Sequence, residues 1–246
     1  MEIRHFGVGG RLSECKRLLA ERLGDKGGRL FLLPIPSTRD NRYINGTSVV
    51  IEDIAMMLDS DSAVVGYNIP EKITDRAKSV GARVFDAGLD EDFLLENAEL
   101  TARGTVGFIL THYKRDLSEM RVGVVGYGRI GMRLVRWLLL FGATLTVYTR
   151  REALALELCE AGISAKTVEE GDFSKLDILI NTTPKRQIEE SDLDPDTDII
   201  DLASGISFDP SERLVRLASV PESYYPITAG RLYGEAAIRS LWGEKI

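Results

Sequence analysis

The sequence predicts an α/β fold in which a doubly wound parallel sheet is joined to a second, smaller α/β domain. Three observations predict it. Short apolar runs alternate with helix-periodic segments along the chain, the pattern of strands laid parallel by helical crossovers. The apolar run 122–125 passes directly into Gly126-Tyr127-Gly128-Arg129-Ile130-Gly131 and then into an apolar-periodic stretch over 132–141. Two later runs, 176–180 and 199–202, close in Asn181-Thr182-Thr183-Pro184 and Ala203-Ser204-Gly205.

Taken in order, residues 3–6 predict a strand and Gly7-Val8-Gly9-Gly10 a turn. Residues 12–23 predict a helix with Leu18, Leu19 and Leu23 on one side, stopped by Gly24-Asp25-Lys26-Gly27-Gly28. Residues 30–35 form a second strand ending at Pro36, followed by the polar loop Ser37-Thr38-Arg39-Asp40-Asn41. The stretch 49–58 reads as a short strand passing into a helix, 63–67 as a strand, 71–80 as a helix and 84–85 as a strand. Asp90-Glu91-Asp92 reads as a solvated helix start, and helical composition over 94–113 carries the chain onward. Beyond it come a strand at 122–125, a helix at 132–141 stopped by Gly142, a strand at 143–148 and a helix at 151–161 ending at Gly162. Strands at 176–180 and 199–202, a short helix at 212–217 and a terminal helix at 228–242 complete the reading. The expected domains are 1–99, flavodoxin-like, and 100–228, of Rossmann type, with the segment 229–246 packing toward the first.

The totals exclude several classes. Of 246 residues, 44% are hydrophobic and 28% charged, ordinary for a globular protein. A net charge of −7 without a basic stripe argues against a nucleic-acid partner. Cys15 and Cys159 are isolated and lack metal-ligand spacing, so a reduced compartment with neither disulfide nor metal is expected. The start MEIRHFGVGG has no signal pattern, and the apolar run from Trp137 to Phe141 is too short to span a bilayer. The expectation is a cytoplasmic protein with no membrane partner.

The glycine motif carries the chemistry. Gly126 permits a tight turn, Gly128 lets a pyrophosphate approach the backbone, and Gly131 lets helix and strand pack closely. Free N–H groups and the helix dipole then favour phosphate at the helix start, so Gly126 to Gly131 is read as a dinucleotide site. The plain alternative is a glycine turn without a ligand. At the end of the next strand an NAD site usually carries an acid, whereas this chain has Tyr148-Thr149-Arg150-Arg151 and no acid before Glu152. Thr149, Arg150 and Arg151 suit a 2′-phosphate, so NADP is expected over the alternative, NAD. Otherwise Arg150 and Arg151 are solvated charges at a helix start, a poor place for cations. Asn181, Thr182 and Pro184 lie beyond a strand end and are expected beside the coenzyme.

With these blocks in order, the chain resembles the dipicolinate synthase A-subunit family, built like the two-domain 2-hydroxyacid dehydrogenases. The resemblance rests on Gly104-Thr105 with His112, the motif from Gly126 to Met132, Ile180 to Pro184, Asp201-Leu202-Ala203-Ser204 and Thr228-Ala229-Gly230. It implies an oxidoreductase that oxidises dihydrodipicolinate with a nicotinamide coenzyme, alongside a flavoprotein-like B subunit. The chain departs from the family pattern at Gly205-Ile206-Ser207-Phe208, shorter in glycine, at Ile227, where a Lys is expected, and at Arg103, where an acid is expected. These changes leave another small carboxylic acid open as substrate.

Hydride transfer needs orientation, a dry site and a path for a proton. His112, with an ordinary pKa of about 6.5, is a candidate proton carrier, against a plain helix-end histidine; His5 is a weaker one. Ser204 is the second catalytic candidate. Ser37, Thr38 and Arg39 could bind a substrate carboxylate, against ordinary turn chemistry after Pro36. Thr228, with Arg231, opens a helix and could bind an anion or simply cap it. The expected partners are a small dicarboxylate, further copies of the chain and a B subunit. Alternatives are another NAD(P)-dependent 2-hydroxyacid-type dehydrogenase and a non-catalytic nucleotide-binding regulatory subunit.

Overall fold

A computed structural model of the chain describes residues 1–24, 26–185, 188–208 and 212–243. Asp25 of the expected Gly24–Gly28 stop and the end of the expected 229–246 segment lie outside the described residues. The chain forms two compact units, one from Met1 to Asn97 with the residues from Pro221 onward, the other Ala98–Val220.

In the first unit β1 (Glu2–His5), α1 (Gly10–Leu23), β2 (Arg29–Leu32), α2 (Ile51–Met57), β3 (Ser62–Gly66), α3 (Glu71–Val80) and β4 (Arg83–Asp86) follow one another. The four strands are parallel and lie side by side in chain order. Leu30, Phe31 and Leu32 of β2 and Ala63, Val64 and Val65 of β3 are fully buried, as strands covered on both faces must be. Phe31, Leu33 and Val64 pack with Ile51 and Ile54 of α2 and Ile73 and Ala77 of α3.

The helix α4 (Glu91–His112) leads from the first unit into the second. Asp90 caps it, its Oδ1 accepting the Phe93 N–H at 2.8 Å. Gly104 and Thr105 therefore lie inside α4 rather than opening a helix, and the Thr105 hydroxyl donates to Thr101 O at 2.9 Å. The second unit continues with β5 (Arg121–Val125), α5 (Arg129–Leu140), β6 (Thr144–Thr149), α6 (Glu152–Glu160), β7 (Ala165–Thr167), β8 (Ile178–Asn181), β9 (Asp198–Asp201) and β10 (Leu214–Arg216). All pairings are parallel, in the order β10-β9-β8-β5-β6-β7. The chain works outward from β5 through β6 to β7, then returns to the other side of β5 and works outward again. This is the doubly wound Rossmann order, with its reversal between β5 and β8. The expected helix at 212–217 is corrected: Leu214–Arg216 pair with Ile199–Asp201 as an edge strand.

A short helix, α7 (Val220–Tyr224), brings the chain back, and α8 (Pro226–Trp242) completes the first unit. Because α8 starts at Pro226 with Tyr225 as its cap residue, Thr228 lies within the first turn and is not the N-cap. Gly230 and Gly234, one turn apart, let α8 lie close on α1: a Cβ at Gly230 would stand 2.5 Å from Arg11 O, and one at Gly234 2.9 Å from Leu18 Cδ2. Tyr233 between them is fully buried and donates its hydroxyl to Leu33 O at 3.1 Å. Among the described residues no helix is long and apolar enough to cross a membrane.

Gly230→Val should lower the urea midpoint of the full chain by the equivalent of about 2 kcal/mol, since the α1 main chain cannot retreat from the new side chain. An unchanged midpoint would show that the two helices do not depend on this close approach.

Candidate functional site

The sheet of the second unit places its loops in register. Val125 pairs with Tyr148 on one side and Asn181 on the other, and Asn181 pairs with Asp201. These four residues lie in one row at the carboxyl-terminal end of the sheet, so the loops after β5, β6, β8 and β9 emerge on the same rim. In doubly wound sheets ligands lie beyond that rim, at the reversal point.

Gly126 turns the chain out of β5 with φ 95, and its N–H donates to Tyr148 O at 2.8 Å. Only glycine holds that left-handed φ readily, and a Cβ here would also strike Thr183 Cγ2 and come 2.7 Å from Thr182 Oγ1. A Cβ on Gly131 would collide with Gly126 O, so α5 can start against β5 only with glycine here. Gly128 differs from both. It is the N-cap of α5, it is exposed, and a Cβ there would find no atom within 4 Å. The helix start thus faces open space across bare main chain, and its first turn holds no acid. These features fit a dinucleotide pyrophosphate. Tyr127 and Ile130 are half-buried beside the turn and Arg129 is exposed.

Thr182 ties β8 to the glycine turn, with both its N–H and its hydroxyl donating to Val125 O at 2.9 Å. Asn181 is 2% exposed, and its amide is engaged within the protein. Its Nδ2 donates to Thr183 O at 2.9 Å and Asp201 Oδ1 at 2.8 Å, while its Oδ1 accepts the Thr183 N–H at 3.1 Å. Asp201 is equally buried, and its carboxylate also accepts the N–H groups of Ala203, Gly205 and Ile206 at 3.1 to 3.3 Å. A buried carboxylate is tolerable only when its lone pairs are met in this way. Asn181 and Asp201 therefore shape the rim rather than reach out from it. Between them they hold Ser204 exposed at φ 57. Pro184 is exposed on the neighbouring loop.

At the end of β6, Thr149 is buried and its hydroxyl accepts the Arg151 N–H at 3.2 Å. Arg151 is the N-cap residue of α6, and Arg150 and Arg151 are both exposed. Among the described residues neither guanidinium makes an ion pair. The Tyr148 hydroxyl is taken up within the protein, donating to Asp172 O at 2.8 Å, and burial pushes its pKa up to about 12.

The structure does not bring His112 to the rim, a correction to the expected proton carrier. Its ring stacks on Phe108 at 4.0 Å, and Nδ1 lies 2.9 Å from Phe108 O, one turn back along α4. The next residue, Tyr113, faces Asp198 at the amino end of β9, the opposite edge of the sheet. His112 closes its own helix.

In the first unit, Ser37 and Thr38 shape their loop. Ser37 is fully buried, its Oγ accepting the Tyr67 N–H at 2.9 Å, and the Thr38 hydroxyl donates to Tyr43 O at 2.7 Å. Arg39 is exposed, with no hydrogen bond or ion pair among the described residues. Thr228 is exposed on α8, and Arg231 pairs with Glu14 at 3.0 Å. His5 lies 3.2 Å from Lys16 Nζ, and desolvation, with the nearby ammonium, lowers its pKa. Sequence reasoning gave no role to Arg11, a buried cation at the start of α1.

Comparison with known proteins accords with this geometry. Residues 101–193 match the family model described as D-isomer specific 2-hydroxyacid dehydrogenase, NAD binding domain. The chain is 28% identical over 174 residues to the A subunit of dipicolinate synthase from Bacillus subtilis (strain 168), a match that spans 66% of this chain and 58% of that relative. Its fold is similar to the crystal structure of the dipicolinate synthase A subunit from Bacillus halodurans, with TM-score 0.80 and 21% identity over 98% of this chain and 97% of that one. The A chain of dipicolinate synthase from Bacillus subtilis gives TM-score 0.76 and 20% identity over 96% and 93%. The matches support a nucleotide cofactor and are consistent with an oxidoreductase role.

Asp201→Ala strands the Asn181 amide and three backbone donors, so it should cost about 3 kcal/mol in urea unfolding. Asp201→Asn, which keeps one acceptor oxygen, should cost less. Equal, small effects of both would show that the carboxylate does not hold the rim.

Proposed function

We propose that this chain is an oxidoreductase like the A subunit of dipicolinate synthase, moving a hydride between NADP and dihydrodipicolinate or a similar small dicarboxylate. The observation that carries the reading is the bare start of α5. Gly126 and Gly131 are forced by close contact, yet Gly128 faces open space where a diphosphate can reach main-chain N–H groups. The bound coenzyme would supply the hydride chemistry.

The residues of the chain orient and shield. Gly126 to Gly131, including Tyr127, Arg129 and Ile130, hold the diphosphate. Thr182 and Pro184 flank the nicotinamide end, with Asn181 positioning them through Asp201, and Ser204 presents its hydroxyl from the adjacent loop. Thr149, Arg150 and Arg151 favour NADP, because two guanidinium groups without carboxylate partners suit a 2′-phosphate and no acid precedes Glu152 to hold a free ribose hydroxyl. Arg39 is the group of its loop free to meet a substrate carboxylate, with Ser37 and Thr38 setting the loop's shape. Thr228 is a further polar group toward substrate. Self-association and a flavoprotein-like B subunit belong to the same reading.

A specific observation favours a second reading, a non-catalytic nucleotide-binding regulatory subunit that senses the coenzyme for a partner chain. Within the unit that carries the rim, the single histidine lies at the opposite edge. Purified chain with NADP or NAD and enzymatically generated dihydrodipicolinate, with and without a B subunit, separates the readings. Dipicolinate formed in the complete mixture supports the first. Coenzyme binding without turnover on any small acid supports the second.

Replacing Arg150 and Arg151 by Ala should weaken NADPH by about tenfold or more, about 1.4 kcal/mol, and leave NADH nearly unchanged. Equal effects on both coenzymes in titration calorimetry would remove the NADP assignment.

A further inference from the structure

The sheet of the first unit is open along one side. Its strands lie in the order β1-β2-β3-β4, and among the described residues no strand pairs with the outer side of β1. The N–H groups of Glu2 and Phe6 donate inward, to Gly28 O at 3.1 Å and Leu32 O at 2.9 Å. Main-chain groups alternate along a strand, so those of Ile3 and His5 point outward. Glu2, Arg4 and His5 are exposed and Ile3 is half-buried. An open edge of this kind is a template for a further strand.

The side chains alternate as well. Glu2, Arg4 and Phe6 lie on the face that carries α2: Arg4 Nη1 stands 3.7 Å from Met57 Sδ, and Phe6 packs against the cluster that holds Ile51 and Ile54. His5 lies on the other face, 3.2 Å from Lys16 Nζ of α1, and Ile3 shares that face with it. On the α2 face Glu2 and Arg4 carry opposite charges, 2.7 Å apart. Beside them Phe6, Val49, Met56 and Met57, with Ser48 and Asp53, line a groove of about 480 Å³, and Met56 is 71% exposed.

The charges of β1 decide which strand fits its edge. Two copies of β1 meeting antiparallel about a two-fold axis must set outward-pointing main-chain groups against each other, so the axis passes through a residue and not between residues. An axis at Glu2 or at Arg4 opposes like charges. An axis at His5 opposes Arg4 to Phe6 and leaves Glu2 without a counterpart. With the axis at Ile3, Glu2 of each copy stands opposite Arg4 of the other, and Ile3 exchanges two hydrogen bonds with its counterpart. Glu2 and Arg4 then form the pair without main-chain bonds, in which side chains approach most closely. That axis is perpendicular to the sheet, so both grooves lie on one side of the joined sheet.

We propose that β1 pairs antiparallel with β1 of a second copy of this chain about a two-fold axis at Ile3, joining two four-stranded sheets into one. The pairing gives the self-association of the proposed function a surface. It needs neither coenzyme nor substrate, so its failure leaves the coenzyme reading standing.

Sedimentation equilibrium of the full chain should show a dimer. Glu2→Arg gathers four arginines at the axis and should weaken the dimer by about tenfold or more. Adding Arg4→Glu to Glu2→Arg restores unlike charges across the axis and should return the dimer to within about threefold of the wild-type affinity. In the wild-type chain, the outward Ile3 amide should exchange its hydrogen more slowly as concentration rises. A dimer indifferent to Glu2→Arg, or not recovered by the exchange of charges, overturns the proposal. So does an Ile3 amide whose exchange ignores concentration, a reading that needs no variant. A chain monomeric at every concentration leaves the edge to a strand of another protein and equally overturns pairing with itself.

Discussion

The second unit depends on one contact, the approach of α5 to the end of β5 at a distance that leaves no room for a side chain. Gly131 sits against the carbonyl of Gly126, and Gly126 holds a left-handed φ to make the turn possible. The helix therefore begins at the strand end itself, and its unpaired N–H groups open onto the rim. The reversal between β5 and β8 then sets Thr182 and Thr183 beside that turn on one side, while Thr149 to Arg151 follow β6 on the other. A longer connection would give the same sheet without concentrating these groups.

The rim is kept in shape by a buried polar network. Asn181 and Asp201 are register partners that share a hydrogen bond and take up five nearby donors and acceptors between them. In a low-dielectric setting such a network is stable only if complete, so it specifies one loop conformation. Arg11 presents the contrasting case, a buried charge whose donors are only partly met.

Much of this was legible in the sequence. Strands β5, β8 and β9 are covered on both faces, so their apolar runs are continuous and stand out from the helices between them, while β6 alternates threonine with buried Leu145 and Val147. The glycine spacing records close contact directly. Edge strands carry no such mark: Ala165–Thr167 is short and half-exposed, and Leu214–Arg216 follows helix-favouring residues, so only pairing with β9 makes it a strand. The site was legible at its main chain and less so at its side chains. Ser37, Thr38 and Asn181 are polar residues at strand ends, as ligand contacts are, yet their hydrogen bonds stay within the protein. His112 is a candidate by its ordinary pKa alone, and its place at the far end of a helix already fits the plain helix-end histidine that stacks on Phe108. Asp201 and Arg11 carry no local signal, since burial of a charge is decided by distant segments.

The central claim is that main chain at the start of α5 receives a diphosphate. Gly128→Val tests it most directly, because that position has open space for a side chain and a φ of −90 that valine tolerates. The account predicts an unchanged urea midpoint together with loss of NADPH and NADH binding by titration calorimetry. Undiminished binding of either coenzyme by a normally stable Gly128→Val chain would contradict it.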